Sequence, residues 1–177
     1  MFSSFPWYQN IENSDEILQG DFVINCPIVI PPNNFEGEQE MIIQELDTIV
    51  LSQSCDIQNG KIDIILVCPY YNLDMFLSIH PTSKDGSKKS RLKVIDNLKQ
   101  GVYPSYHLLQ KDEKSGIDDY LVVDFRNVYG VNYNFLKKYI LKITKRNRIL
   151  PPYREHMSQA FARYFMRVGL PIILDAE

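Results

Sequence analysis

Asp47-Thr48-Ile49-Val50-Leu51-Ser52-Gln53-Ser54-Cys55-Asp56-Ile57, then Gln58-Asn59-Gly60, then Lys61-Ile62-Asp63-Ile64-Ile65-Leu66-Val67-Cys68-Pro69, is the stretch that decides the fold. Two β-branched apolar runs flank a turn, which is the pattern of two buried strands. The first run ends in Ser52, Ser54, Cys55 and Asp56. Polar residues at the end of a core strand either carry chemistry or shape a turn.

Upstream, Gly20 to Ile30 reads as a strand interrupted at Pro27, where a ladder donor is missing and an edge or bulge is implied. A polar loop runs from Pro31 to Gln39, and Met41 to Leu46 begins a strand that continues into the organising run past a bend at Asp47. Phe2, Phe5, Trp7 and Tyr8 are too apolar for a solvated tail. Residues 1–19 are therefore expected to dock on the body or on a partner.

Downstream, residues 70–90 are expected to leave the sheet, with a turn-rich loop from Pro81 to Lys89. A short helix is predicted near residues 91–100, with Leu92, Ile95 and Leu98 on one face and Gly101 as its stop. Tyr103–Leu109 and Tyr120–Val128 read as strands, while Tyr133–Ile143 fits a strand or a helical turn. Tyr153, Met157, Phe161, Phe165 and Val168 recur at helical spacing behind Pro151-Pro152, which places a helix over 150–170. The expectation is a single α+β domain: a small curled antiparallel sheet or barrel over 20–149, with a mid-chain helix and a C-terminal helix.

The 177 residues are 45% apolar and 23% charged, enough for a sizeable core. The net charge of −3 gives no global basic field. The charge is uneven: the first 56 residues hold no Lys or Arg, whereas 84–99 and 137–167 are basic. Three cysteines in or beside apolar runs fit reduced thiols rather than a disulfide framework. No signal peptide and no run of membrane-spanning length is present, so the expected location is the cytoplasm and no membrane partner is expected.

The order Gly20-Asp21-Phe22-Val23, Thr48-Ile49-Val50-Leu51-Ser52 and Ile64-Ile65-Leu66-Val67-Cys68-Pro69 resembles the frame of the PemK/MazF toxins. Leu121–Val128 is similar to a later strand of that family, and Leu150 with the closing helix and Val168-Gly169-Leu170 to its C-terminus. The resemblance implies an SH3-like barrel, metal-independent ribonuclease chemistry and pairing into homodimers. The chain departs from it at the catalytic positions: Asp47 lies near the place of the family's Arg, and Tyr70-Tyr71 follow Pro69 where the family has Thr or Ser. The Ser52-Gln53-Ser54-Cys55-Asp56 phrase also resembles one in uncharacterised prokaryotic and phage proteins, some near defence genes.

Three chemistries are open. Cys55 with Asp56 would make a thiol nucleophile if His107 or His156 lies beside it; otherwise Cys55 packs and Asp56 shapes the turn. His107 and Arg126 would supply the base and the cation of RNA cleavage, with Ser52, Ser54 and Asp56 as further candidates. Arg126, Arg146, Arg148, Arg154, Arg163 and Arg167, among tyrosines, would hold phosphate and stacked bases, with Ser52, Gln53 and Ser54 as further ligand contacts, or would simply form a solvated face. No metal site or cofactor is expected, because the Cys and His residues lack closely spaced pairs. The reading that follows is a binding module of a prokaryotic or phage conflict system, its ligand RNA or a partner protein. Its rivals are a metal-independent endoribonuclease and a Cys-dependent hydrolase.

Overall fold

The computed structural model describes residues 5–32 and 40–166. Phe2, most of the loop expected up to Gln39, Arg167, Val168-Gly169-Leu170 and the end of the expected 150–170 helix lie outside the described residues.

The strands are β1 (Tyr8–Glu12), β2 (Phe22–Ile30), β3 (Ile42–Val50), β4 (Ile64–Asn72), β5 (Tyr106–Leu109), β6 (Leu121–Asp124), β7 (Tyr129–Asn132) and β8 (Lys145–Ile149). The helices are α1 (Ser54–Gln58), α2 (Leu73–Ile79), α3 (Lys88–Lys99), α4 (Tyr133–Ile140) and α5 (Tyr153–Phe165). The larger sheet is antiparallel throughout, in the order β2-β3-β4-β6-β5, with β7 also on β4. β1 and β8 form a separate two-stranded ladder. The α+β class therefore stands. Among the described residues no ladder joins β5 back to β2, so the sheet is open.

β4 is the axis of the sheet. One side pairs with β3 at Val67–Pro69; the other pairs with β7 at Ile64–Val67 and then with β6 at Tyr70–Asn72. Pro69 sits at the changeover, where a missing N–H costs no ladder bond on the second side. Tyr70 and Tyr71 thus stay in the sheet, and the expected exit at residue 70 moves to Asn72. There the Asn72 side chain accepts from the Met75 N–H at 2.8 Å and starts α2, a helix inside the segment expected to be loop.

The break in β2 also moves. The register slips between Val23 and Cys26, with Asn25 at φ 49°, whereas Pro27 pairs with Glu45 on the edge strand. Ser54–Gln58, expected as strand end and turn, form α1. Tyr133–Ile143 resolves as the helix α4: Asn132 caps it, and Leu136 and Ile140 are buried one turn apart.

Three apolar clusters hold these layers. The first packs Ile57 of α1 and Leu136 and Ile140 of α4 on β2, β4 and β7. The second packs Met157 and Phe161 of α5 on Phe125, Leu109 and Ile149. The third packs α2 and α3, through Phe76, Leu77, Val94 and Leu98, on Val122. The N-terminal segment docks on its own body: Trp7 stacks on Tyr153 with ring centres 3.6 Å apart, and the Tyr8 hydroxyl donates to the Gln110 carbonyl at 2.6 Å.

The two sheets meet at Gly20-Asp21. Gly20 has φ 84°, and a Cβ there would lie 3.2 Å from Ile149 Cβ, so both backbone and space call for glycine. Asp21 is buried and receives the equally buried Arg146 and Arg148. Arg148 Nη2 donates to Asp21 Oδ2 at 3.0 Å, Arg146 Nε approaches it at 3.4 Å, and Arg148 Nη1 reaches Glu16 at 3.1 Å. Burial works against the charge of Arg148, and Asp21 and then Glu16 more than offset it, so the guanidinium is held charged. Replacing Asp21 by Asn strands two buried guanidinium groups against a neutral amide. Urea unfolding of Asp21→Asn is expected to show a loss of about 3–5 kcal/mol.

Candidate functional site

The Ser-Gln-Ser-Cys-Asp phrase is first of all a structural joint. Ser52 Oγ accepts from the Leu66 N–H at 2.8 Å, and Ser54 Oγ accepts from the Gln19 N–H at 3.1 Å. Gln53 caps α1 without a side-chain hydrogen bond. Cys55 is exposed, with its thiol 3.7 Å from Gln53 Oε1 and 3.9 Å from Asp56 Oδ1. Asp56 itself faces Lys61 at 3.7 Å. Among the described residues no histidine hydrogen-bonds to Cys55 or Asp56, so the base that a thiol nucleophile needs is not at hand.

Arg126 belongs to a different corner. Its Nε and Nη2 donate to Asp124 Oδ1 and Oδ2 at 2.9 and 2.7 Å, and its own N–H donates to the same carboxylate at 3.0 Å. The Asp124 hydrogen bond, more than offsetting partial burial, raises Arg126 further above its ordinary range. The guanidinium lies 4.8 Å from the centre of the Tyr106 ring, a cation–π arrangement. The histidine in this corner is His80, buried against Phe76, Tyr103 and Tyr106, and lowered first by burial and then by Arg126.

His107 is not part of it. Tyr106 and His107 are neighbours in β5, so their side chains leave opposite faces of the sheet. Arg126 covers Tyr106, whereas His107 stacks toward Phe125 under α5, with ring centres 6.3 Å apart. Burial, then the charges of His156 and Arg163, lowers His107 to about 4. The structure therefore spreads Cys55–Asp56, Arg126 and His107 over three places.

The arginines expected to hold phosphate are largely taken by carboxylates. Arg126 is held by Asp124, Arg146 and Arg148 by Asp21, and Arg154 by Glu155 at 2.7 Å. Arg163 has an exposed side chain whose Nε donates to the Gln159 carbonyl at 3.3 Å.

Two grooves are candidate binding surfaces. A groove of about 560 Å³ runs along β5 between the end of α3 and the middle of α5; Lys99, Tyr103, His107, Leu108, Ala160 and Arg163 are among its walls. A second, apolar groove of about 450 Å³ lies between the β2–β3 hairpin and α4, bounded by Val29, Ile43, Gly130, Val131 and Phe135. Around it Met41, Ile42 and Ile43 are 68%, 59% and 65% exposed, and Ile64, Leu66 and Phe135 are also open to solvent. Sequence reasoning placed Met41–Leu46 in a strand but missed this surface. The signal was the unbroken Met-Ile-Ile run, which no half-buried strand needs.

Among the described residues no group of three or more His, Cys, Asp or Glu could hold a metal ion, and no helix is long and apolar enough to cross a membrane. Compared with known proteins, the chain matches no family model, no curated protein and no solved structure.

Two outcomes follow from these positions. A thiol reagent added to the folded protein is expected to label Cys55 and to leave the buried Cys26 and Cys68 until unfolding, read by intact-mass spectrometry. His107 has a folded value near 4 against 6.5 unfolded, so burying it neutral stabilises the fold above pH 6.5. That contribution, at most about 3 kcal/mol, is lost as pH falls from 6.5 toward 4. His107→Gln is expected to flatten the fall in stability between pH 7 and 5; parallel slopes for the two proteins would refute the burial assignment.

Proposed function

We propose that this protein is an interaction module of a prokaryotic or phage conflict system, acting in the cytoplasm and binding a partner protein rather than carrying out catalysis. The observation that carries the reading is the exposed apolar surface of the β2–β3 hairpin and its groove beside α4. Patches of this kind on soluble proteins mark interaction sites. The engagement of Arg126, Arg146, Arg148 and Arg154 with carboxylates favours a protein ligand over RNA, since it leaves fewer arginines free to hold phosphate. The toxin-like or defence setting rests on the resemblance of the Gly20–Val23, Thr48–Ser52 and Ile64–Pro69 runs to the PemK/MazF frame. The SH3-like barrel is part of the same reading: β2-β3-β4-β6-β5 is a sheet of the kind such a barrel curls. A homodimer using the hairpin face is one form the partner can take.

The endoribonuclease reading keeps one specific observation in its favour, the neutral His107 near His156 and Arg163. Both readings meet in one pair of measurements. A photo-crosslinking residue at position 43, in cells, is expected to give a discrete adduct that the same residue at the exposed Lys114 does not. In parallel, a structured RNA pool in EDTA is expected to be neither cleaved nor retarded. RNA cleavage lost in His107→Ala and Arg163→Ala overturns the proposal in favour of the nuclease.

A further inference from the structure

β5 is an edge strand with an uncommon setting. Among the described residues it pairs with β6 alone, and helices cover both faces beside it: α2 and α3 on the Tyr106 side, α5 on the His107 side. The edge is thus the floor of a slot rather than part of an open surface. Exposed strand edges invite pairing, and proteins usually blunt them with shortness, charge, proline or a covering loop; β5, of four residues, has shortness alone. Here the two helical layers stand beside the edge and leave it open as the groove of about 560 Å³.

Among the described residues, the backbone in the floor has unfilled capacity. Phe125 N–H donates to the Ser105 carbonyl at 2.9 Å, which sets the alternation of the β5–β6 ladder. His107 and Leu109 then exchange bonds with Val123 and Leu121, and Leu108 turns its N–H and C=O away from β6. The Tyr106 carbonyl points the same way, while the Tyr106 N–H is already given to the Tyr103 carbonyl at 3.1 Å. An incoming strand would therefore meet a donor and two acceptors, spaced as one antiparallel pair requires.

The walls supply a sign. Among the described residues, the charged side chains lining the slot are Lys99, at the end of α3, and Arg163, on α5, and no carboxylate lines it. His107, lowered by its burial, adds a neutral imidazole rather than a third charge. Lys99 lies 5.9 Å from the Tyr120 ring, and among the described residues neither it nor Arg163 is paired to a carboxylate, so both cations face a ligand without first leaving an ion pair there.

We infer that the slot along β5 binds an extended, acidic peptide segment of a partner protein by strand addition at Leu108, with Lys99 and Arg163 meeting its carboxylates. Main-chain bonds give such a complex its affinity, and the side-chain walls give it its preference. The inference rests on the protein-binding reading above and names the chemistry of the partner.

The test is selection of binders to the full-length protein from a random short-peptide display pool, followed by titration of a labelled winner. Selected peptides are expected to alternate apolar residues with Asp or Glu. Lys99→Glu with Arg163→Glu is expected to weaken them at least about tenfold, equivalent to about 1.4 kcal/mol, and to favour a version of the peptide with Lys in place of its acids. Leu108→Pro removes the outward N–H without touching the β6 ladder, and is expected to weaken acidic peptides while circular dichroism and melting stay near the parent. Peptides of no charge preference, or binding indifferent to both variants, overturn the inference. Peptides that ignore these variants but are lost with Ile43→Glu move the contact to the hairpin face, leaving the protein-binding reading intact and the slot refuted. No enrichment of any peptide, together with no adduct at position 43, refutes both. Retardation of single-stranded RNA that Arg163→Glu abolishes would assign the slot to nucleic acid instead.

Discussion

The buried carboxylate of Asp21, held between Arg146 and Arg148, fixes the two sheets against each other. The carboxylate joins the β1–β8 ladder to the large sheet where both are dry. Buried ion pairs offset their own desolvation only when the remaining donors are satisfied. Here Arg146 also donates to the Ser14 and Glu16 carbonyls and Arg148 to the Glu16 side chain, so the N-terminal segment is drawn over the pair. Gly20, in the left-handed region and against Ile149, lets the backbone pass close enough for the carboxylate to arrive.

That joint places what lies above it. With β8 fixed on the body, α5 follows from Leu150 and covers Phe125, Leu109 and the His107 face of β5. α2 and α3 cover the other face because β4 ends at an asparagine that caps the next helix. The slot along β5 is the space these two layers leave between them. The apolar hairpin face arises at the opposite end of the sheet order, where β2 and β3 extend past the cover of α4.

The same residue types have different duties according to their surroundings. Arg126 is exposed yet tied by a buried carboxylate, Arg148 is buried and charged, and Arg163 stands at a groove. His107 and His80 are both held neutral by burial on opposite sides of one strand pair. An arginine cluster or a histidine in a sequence is therefore a count of groups, and the carboxylates that face them decide which are available to a ligand.

The β-branched runs Thr48–Leu51 and Ile64–Val67, the apolar spacing behind Pro151-Pro152 and the helix ended by Gly101 were legible in the sequence, because local period and turn chemistry fix them. Lys145–Ile149 was not, since Lys-Arg-Asn-Arg reads as a solvated segment until a distant Asp21 turns it into a buried strand. α1 and α2 were hidden because short helices draw their stability from caps and packing more than from pattern. The class, the central strands and the candidate residues follow from interactions between near neighbours and can be read along the chain. Which candidates meet, which arginines are already paired and where the sheet is left open depend on partners far apart in the chain, and so emerge only on folding.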